Sequence, residues 1–137
     1  YRYHCQMNIV ITSRPEPGYL LVESRGELFT RDDLVRQSRL IHDEIIKHQA
    51  KRILVDEVAT KFPLELFPYY ELVKFYLDNF PPGIRQFKIA IVIAEDYEKM
   101  ARFWQTVCTN RGLQYFAFTS FQKAHNWLTN ETYQSLK

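Results

Sequence analysis

Short apolar runs alternate along this chain with longer segments in which apolar residues recur every three or four positions. Short runs bounded by turn residues are typical of strands, and the longer periodicity is typical of helices with one buried face. The short runs predict strands at residues 7–13, 19–24, 52–56, 87–93 and 114–118. The periodic segments predict helices at about 31–48, 68–80, 95–111 and from about 121 onward.

Turn and cap residues support these boundaries. The stretch RPEPG at 14–18 has the turn chemistry that joins two strands in a hairpin. Thr30 is a favoured N-cap for the first helix, and Asp33 follows at the position used in a capping box. Pro68 is tolerated in the first turn of the second helix, and Gly112 is placed to end the third.

The predicted element order is β-β-α-β-α-β-α-β-α. Strands that alternate with helices predict parallel neighbours joined by right-handed crossovers. We therefore expect an α/β fold with four helices and a mostly parallel mixed sheet that begins with one N-terminal antiparallel hairpin. No repeat or linker interrupts the order, so one domain is expected at 7–130, with a leader or expression remnant at 1–6 and a C-terminal tail at 131–137.

Composition narrows the class of protein. The 137 residues are 46% hydrophobic and 25% charged, as in globular proteins. The net charge of +2 is spread along the chain, so it forms no clustered basic face for nucleic acid. The longest apolar run, IAIVIA at 89–94, is far too short to cross a bilayer. Cys5 and Cys108 lack CxxC spacing, so a reducing, cytoplasmic setting is expected.

Several stretches resemble one known superfamily. They are the opening hairpin that flows through GELF into a capped helix, RILVD at 52–56, FKIAIVIAEDYEKMARFWQ at 87–105, and FTSFQKAHNWL at 118–128. Together with the element order, they are similar to the STAS superfamily, the fold of anti-anti-sigma factors, and within it to SpoIIAA-like bacterial proteins of unassigned function. The resemblance covers about residues 7–130.

The resemblance implies a place for a regulatory switch. In regulatory STAS proteins, the third strand leads to an Asp-Ser-Ser-Gly-type turn whose serine is phosphorylated at the start of the second helix. The matching stretch here is DEVATKF at 56–62, which has neither serine nor glycine. The switch-equivalent junction would then consist of Asp56, Glu57 and Thr60. Because Glu57 would repel a phosphate group, the ordinary serine phosphoswitch is expected to be absent.

Two acidic pairs are candidates for chemistry. Asp56 and Glu57 are expected at the carboxyl end of a parallel strand, where ligands often bind, and they could act as acid and base if burial separated their pKa values. Adjacent strand residues point to opposite faces, however. The alternative is that one carboxylate caps backbone amides and the other is solvated. Glu95 and Asp96 either stabilise a helix N-terminus or join the first pair in a weak cation site.

Known catalytic and metal-binding patterns are missing from the sequence. It contains no nucleophile elbow, HExxH, P-loop or GxGxxG motif, and its four histidines lack metal-ligand spacing. A response-regulator receiver domain is excluded because it needs an acidic pair after the first strand and a lysine after the last strand. Here those strands end in Thr12 and Ser13, and in Thr119 and Ser120. We expect no catalysis, no cofactor and no metal.

Aromatic residues are concentrated between positions 60 and 80. A single helix that packs on a sheet buries one stripe, so several of these side chains have no evident place in the core. They either form a satellite cluster under a long connection or offer a surface to a partner or ligand. The residues of this predicted surface are Phe62, Leu66, Phe67, Tyr69, Tyr70 and Tyr76.

These patterns lead to three hypotheses. The first is a non-catalytic STAS-like binding or regulatory module that acts through the helix surface at 57–80 and binds a protein partner or a second copy of itself. The second is a carrier or sensor of a small apolar or lipid-like ligand. The third, and the least favoured, is an enzyme that uses carboxylates, because no nucleophile or organised base can be named.

Overall fold

The computed structural model describes residues 8–80 and 82–130. The leader expected at 1–6 and the tail expected at 131–137 lie outside the described residues. The strands are β1 (Val10–Glu16), β2 (Tyr19–Glu27), β3 (Arg52–Lys61), β4 (Lys88–Val92) and β5 (Gln114–Phe118). The α-helices are α1 (Arg31–Lys47), α2 (Phe67–Asn79), α3 (Glu98–Asn110) and α4 (Phe121–Thr129), with short 3₁₀ turns at Pro82–Gln86 and Glu95–Tyr97.

The five strands form one sheet in the order β1-β2-β3-β4-β5. The hairpin of β1 and β2 is antiparallel, and the remaining neighbours are parallel. The predicted fold class, with its mixed sheet and four helices, is confirmed. From β2 to β5 each crossover moves one position in the same direction, and right-handed crossovers of this kind place all their helices on one face. Accordingly, α1, α2 and α3 share a face of the sheet.

The two faces of the sheet have separate cores. Along β3, Ile53 and Val55 point toward α1–α3, whereas Leu54 points to the opposite face, where α4 packs. Lys88 of β4 contacts α4 across this second core. Its Nζ donates to the Trp127 carbonyl at 3.1 Å and lies 4.5 Å from the centre of the Trp127 ring. The larger core, between the sheet and α1–α3, is the one that contains the candidate site.

The first strand differs from its prediction. It begins at Val10 and runs to Glu16, so the turn shrinks to two residues, Pro17 and Gly18. Pro15, interpreted from the sequence as a turn residue, instead lies within β1. An edge strand tolerates proline because one side of its backbone has no neighbouring strand to receive an N–H group.

The third strand also differs, and this changes the predicted junction. It continues past Asp56 to Lys61 because β2 is long enough to pair with it as far as Glu27. The pairing shifts on the way: Glu23 is opposite Asp56, but Arg25 is opposite Ala59, so β3 contains one extra residue, a β-bulge. The expected strand-to-helix junction of Asp56, Glu57 and Thr60 is therefore wrong in its placement, since all three residues lie within β3.

The local signals at helix ends are confirmed. The Thr30 hydroxyl accepts from the Asp33 amide at 3.2 Å, and the Asp33 carboxylate accepts from the Thr30 amide at 3.2 Å. At the start of α4, Ser120 accepts from the Lys123 amide. Among the described residues, no helix combines the length and the apolar character that crossing a membrane requires.

Candidate functional site

A cavity of about 50 Å³ lies between the sheet and the helices α1, α2 and α3. Its walls are mainly apolar and aromatic, and they include Val55, Phe62, Leu72, Ile89, Met100 and Trp104. Polar side chains from α1 and β3 reach the same space, among them Gln37 and Glu57. An apolar cavity with a few convergent polar groups is the usual form of a small-molecule site.

The polar side of this cavity is built around Glu57, which is only 4% exposed. Gln37 Nε2 donates to Glu57 Oε2 at 2.5 Å and to Ser24 Oγ at 3.0 Å. Thr60 Oγ1 donates to the Ser24 carbonyl at 2.8 Å. We call Ser24, Gln37, Glu57 and Thr60 the buried polar cluster. Two strand residues that are three positions apart normally point to opposite faces of a sheet. The extra residue of the bulge in β3 allows both Glu57 and Thr60 to be buried in this cluster.

Burial determines the charge of this cluster. It raises the pKa of Glu57 from 4.5 to about 8, against the opposing effect of the Gln37 hydrogen bond. The neighbouring Asp56 charge adds to the rise. The Glu57 carboxyl is therefore mostly protonated at neutral pH, and it has a proton that it can donate.

His42 occupies another part of the cavity wall. Its Nδ1 lies 2.8 Å from the Ser38 carbonyl oxygen, which can only accept, so Nδ1 holds the proton. Its Nε2 then accepts from the Tyr115 hydroxyl at 3.1 Å. Burial lowers the pKa of His42, which favours this neutral form. Both ring nitrogens are engaged within the protein, as in a structural core histidine.

The carboxylates of Asp56 and Glu57 do not converge. Asp56 Oδ1 accepts from the Val58 amide at 3.1 Å, on the strand segment that forms the bulge, whereas Glu57 points into the core. The expectation that one carboxylate caps a backbone amide is thus confirmed for Asp56. The expectation that the other is solvated is wrong, because the bulge and α1 enclose Glu57.

Thr60 and the second acidic pair, Glu95 and Asp96, are the other residues that the sequence marks as candidates for chemistry. Thr60 is 2% exposed and hydrogen-bonded, so a kinase cannot reach its hydroxyl while β3 is paired. Glu95 and Asp96 are exposed in the 3₁₀ turn that precedes α3. In the part of the chain that the structure describes, no group of three or more His, Cys, Asp or Glu side chains is placed to hold a metal ion.

The predicted aromatic surface divides into two parts. Tyr69 and Tyr76 are buried and line the cavity together with Phe62, so they do not contribute to an outward-facing surface. Leu66 is half-buried against the core. The helical spacing of α2 explains the division, since positions 69, 72, 73 and 76 form its buried stripe.

Phe67 and Tyr70 are exposed, at 65% and 40%, and their rings stack 6.3 Å apart. Leu64, which is absent from the predicted surface, is 72% exposed and precedes Phe67 by three residues in the chain. We call Leu64, Phe67 and Tyr70 the docking patch.

The sequence-based prediction misses Gln37, Ser24 and His42 as site residues. A signal for two of them exists in α1, where Gln37, Ser38 and His42 fall among the apolar residues of the buried face. Polar side chains on such a face are rare unless they have partners. The partner of Gln37 lies 20 residues away on another element, so no local pattern could identify it.

Comparisons with known proteins give a likeness of structure. No family model matches the chain, and no curated protein matches it. Among solved structures, the chain is similar to an uncharacterized protein of the DUF3478 family with a SpoIIAA-like fold from Shewanella loihica PV-4. The two share 20% sequence identity over 88% of this chain and 94% of that chain, with a TM-score of 0.49. No activity, ligand or partner follows from this likeness.

Proposed function

We propose that this protein is a non-catalytic, STAS-like binding module that recognises a protein partner through the docking patch. The observation that carries the proposal is the exposure of Phe67 and Tyr70, whose rings stack in the first turn of α2, together with that of Leu64 in the connection just before it. Adjacent exposed apolar side chains are a usual feature of interaction sites. Aromatic side chains suit this role because they combine a large apolar area with few rotatable bonds.

The docking patch rests on a rigid base. Tyr69, a buried residue that lies between its two aromatic members in the sequence, donates from its hydroxyl to the Pro63 carbonyl at 2.5 Å. This bond ties the 62–66 connection to the first turn of α2. The Arg111 guanidinium lies 5.4 Å from the centre of the Tyr70 ring and adds a positive edge to the patch. A pre-organised patch loses little conformational entropy when it binds.

Two features support a role without catalysis. The carboxylates of Asp56 and Glu57 diverge, and both nitrogens of His42 are engaged in hydrogen bonds. The burial of Thr60 supports the absence of the ordinary phosphoswitch, so partner binding would be controlled by other means.

A second candidate function is a carrier or sensor of a small apolar ligand, and the cavity beside Glu57 favours it. A carboxylate-based enzyme is the least favoured because the acidic pair does not assemble.

The docking proposal is tested with the variant Phe67→Ala/Tyr70→Ala. The matched control is Phe29→Ala/Ile46→Ala, which removes two exposed apolar side chains elsewhere on the surface. A photo-cross-linking residue at position 67 identifies the partner in cells, and the purified partner is then titrated against each protein. We expect at least about tenfold weaker binding for the patch variant and unchanged binding for the control. Equal affinities for the two variants would refute the docking patch.

Light scattering over a range of protein concentrations tests whether the partner is a second copy of the chain. A mass that rises with concentration in the wild type and the control, but not in the patch variant, would support self-association. The same monomer mass in all three proteins would exclude it.

A further inference from the structure

We infer that the cavity beneath α2 binds a small, uncharged organic molecule that has an apolar body of about one ring and a single hydrogen-bond acceptor, which Glu57 holds. The inference develops the second candidate function and is independent of the docking patch, because the cavity faces the core and the patch faces outward. It rests on the chemistry of the walls, the position of Glu57 and the size of the space.

The walls select an apolar, uncharged molecule. Among the residues that the structure describes, no lysine or arginine lines the cavity, so an anionic ligand would find no cation there. A charged ligand buried without a partner is costly. The aromatic rings of Phe62, Tyr76 and Trp104 offer flat apolar surfaces instead.

Glu57 supplies the specific contact. A carboxyl group on the wall of an apolar cavity is costly unless it has a task or a partner. Gln37 donates to Oε2 of this carboxyl, which leaves the proton of the neutral acid on its other oxygen. That proton suits a ligand oxygen or nitrogen that can accept a hydrogen bond.

The volume limits the size of the ligand. A cavity of about 150 Å³ holds benzene, so a space of about 50 Å³ admits a ring only if one wall gives way. Met100 is a suitable wall because its unbranched side chain changes shape easily. A second adaptable region is the edge-to-face contact of Phe62 with Tyr97, at 5.3 Å, which joins the 62–66 connection to the turn before α3. Lipids with long chains are excluded by the same measure.

Phenol and toluene test the inference, because they have nearly the same shape but only phenol has an oxygen. Binding is followed by the NMR signal of the Met100 methyl group. The wild-type chain has only one other methionine, Met7, and Glu57→Met adds a third, so the Met100 signal is assigned in each protein by its loss in Met100→Ala. We expect a saturable shift of the Met100 signal with phenol. In Glu57→Met, which keeps the length of the side chain but removes the donor, phenol should bind about five- to tenfold more weakly. Toluene should bind the two proteins equally, and Glu65→Gln, an exposed control, should match the wild type.

A second variant keeps the test decisive if Glu57→Met does not fold. Met100→Ala widens the cavity, and it should bind both molecules several-fold more tightly than the wild type. This is measured by Trp104 fluorescence in a Trp127→Phe background, because Trp104 lines the cavity and Trp127 packs on the other face of the sheet.

Two results would overturn the inference. One is the absence of any saturable signal in both the wild type and Met100→Ala up to the solubility limit of toluene. The other is equal phenol affinity in the wild type and Glu57→Met, which would remove Glu57 from the site.

Discussion

Gln37 on α1 donates a 2.5 Å hydrogen bond to the buried carboxyl group of Glu57 on β3. The same amide nitrogen donates to Ser24 on β2, so one helix side chain joins two neighbouring strands at the bulge. Buried polar networks of this kind are costly to break, because each member that loses its partner stays away from water. The buried polar cluster therefore holds α1 against the sheet and positions Glu57 at the cavity.

The first prediction concerns stability and pH. Because burial raises the pKa of Glu57 from 4.5 to about 8, the folded protein keeps this proton over a range in which the unfolded chain has lost it. The free energy of unfolding should then fall as pH rises from about 5 to about 8, with a Glu57 contribution of roughly 1 kcal/mol per pH unit. Below and above this window, Glu57 contributes no slope.

Urea denaturation across this pH range checks the prediction by comparing the wild type with Glu57→Gln. The difference in unfolding free energy, wild type minus variant, should decrease with rising pH. Exposed Glu65 provides the control variant Glu65→Gln, for which the difference should stay constant. A constant difference for Glu57→Gln as well would show that Glu57 has an ordinary pKa.

The second prediction concerns the burial of Thr60. Replacing it with glutamate would place a second acidic group in the buried polar cluster that contains Glu57, at a position that is only 2% exposed. We expect Thr60→Glu to lose at least about 3 kcal/mol of stability. Its exposed strand neighbour should tolerate the same change, so Ala59→Glu should lose less than about 1 kcal/mol. Similar losses in chemical denaturation for both variants would mean that Thr60 is accessible, and a phosphorylated Thr60 would then be feasible.

The third prediction concerns the close approach of two chain segments at Gly26. This residue has a φ of +141°, and a Cβ atom there would lie 2.1 Å from the Asn8 carbonyl oxygen. Gly26→Ala should therefore lose more than about 2 kcal/mol. A Cβ atom at Gly83 would meet no other described atom within 4 Å, so Gly83→Ala should be neutral or slightly stabilising. The midpoint of thermal unfolding is measured for both variants and for the wild type, and it should fall only in Gly26→Ala. An unchanged midpoint in Gly26→Ala would contradict the prediction.

The fourth prediction concerns the reactivity of Cys108. The thiol is fully buried on α3, and burial raises its pKa, so very little of the reactive thiolate forms. In a Cys5→Ser background, we expect the folded protein to react with a thiol reagent only as fast as the structure around Cys108 opens and exposes the thiol. The control adds Cys108→Ser and Thr109→Cys, which moves the thiol to an exposed neighbouring position that should react at once. Equally fast reaction in both proteins would show that Cys108 is accessible.

Local signals predicted the elements whose ends depend on nearby residues. The first helix is predicted at 31–48 and found at Arg31–Lys47, because Thr30 and Asp33 complete a capping box within four residues. The last strand is found where it is predicted, at Gln114–Phe118. In these cases, the residues that set the end of the helix or strand lie within the short segment whose pattern predicted it.

The end of β3 could not be predicted in this way. The residues after Asp56 form a strand because β2, some 30 residues earlier, continues to Glu27 and offers them a partner. The bulge at this point depends on the same pairing. A pattern within 52–62 contains no information about the length of β2, so the prediction stopped at the first acidic residue.

The sequence by itself determined the order of the elements and the mixed sheet. It also showed that more aromatic side chains lie near α2 than one buried stripe can take. These results follow from periodicity and local caps. Only the tertiary structure decided that Glu57 and not Asp56 is buried, and that Tyr69 and Tyr76 face inward whereas Phe67 and Tyr70 face outward. The physical reason is that burial depends on which distant elements pack against a residue. Here the register of β2 on β3 and the position of α1 over the bulge made that choice.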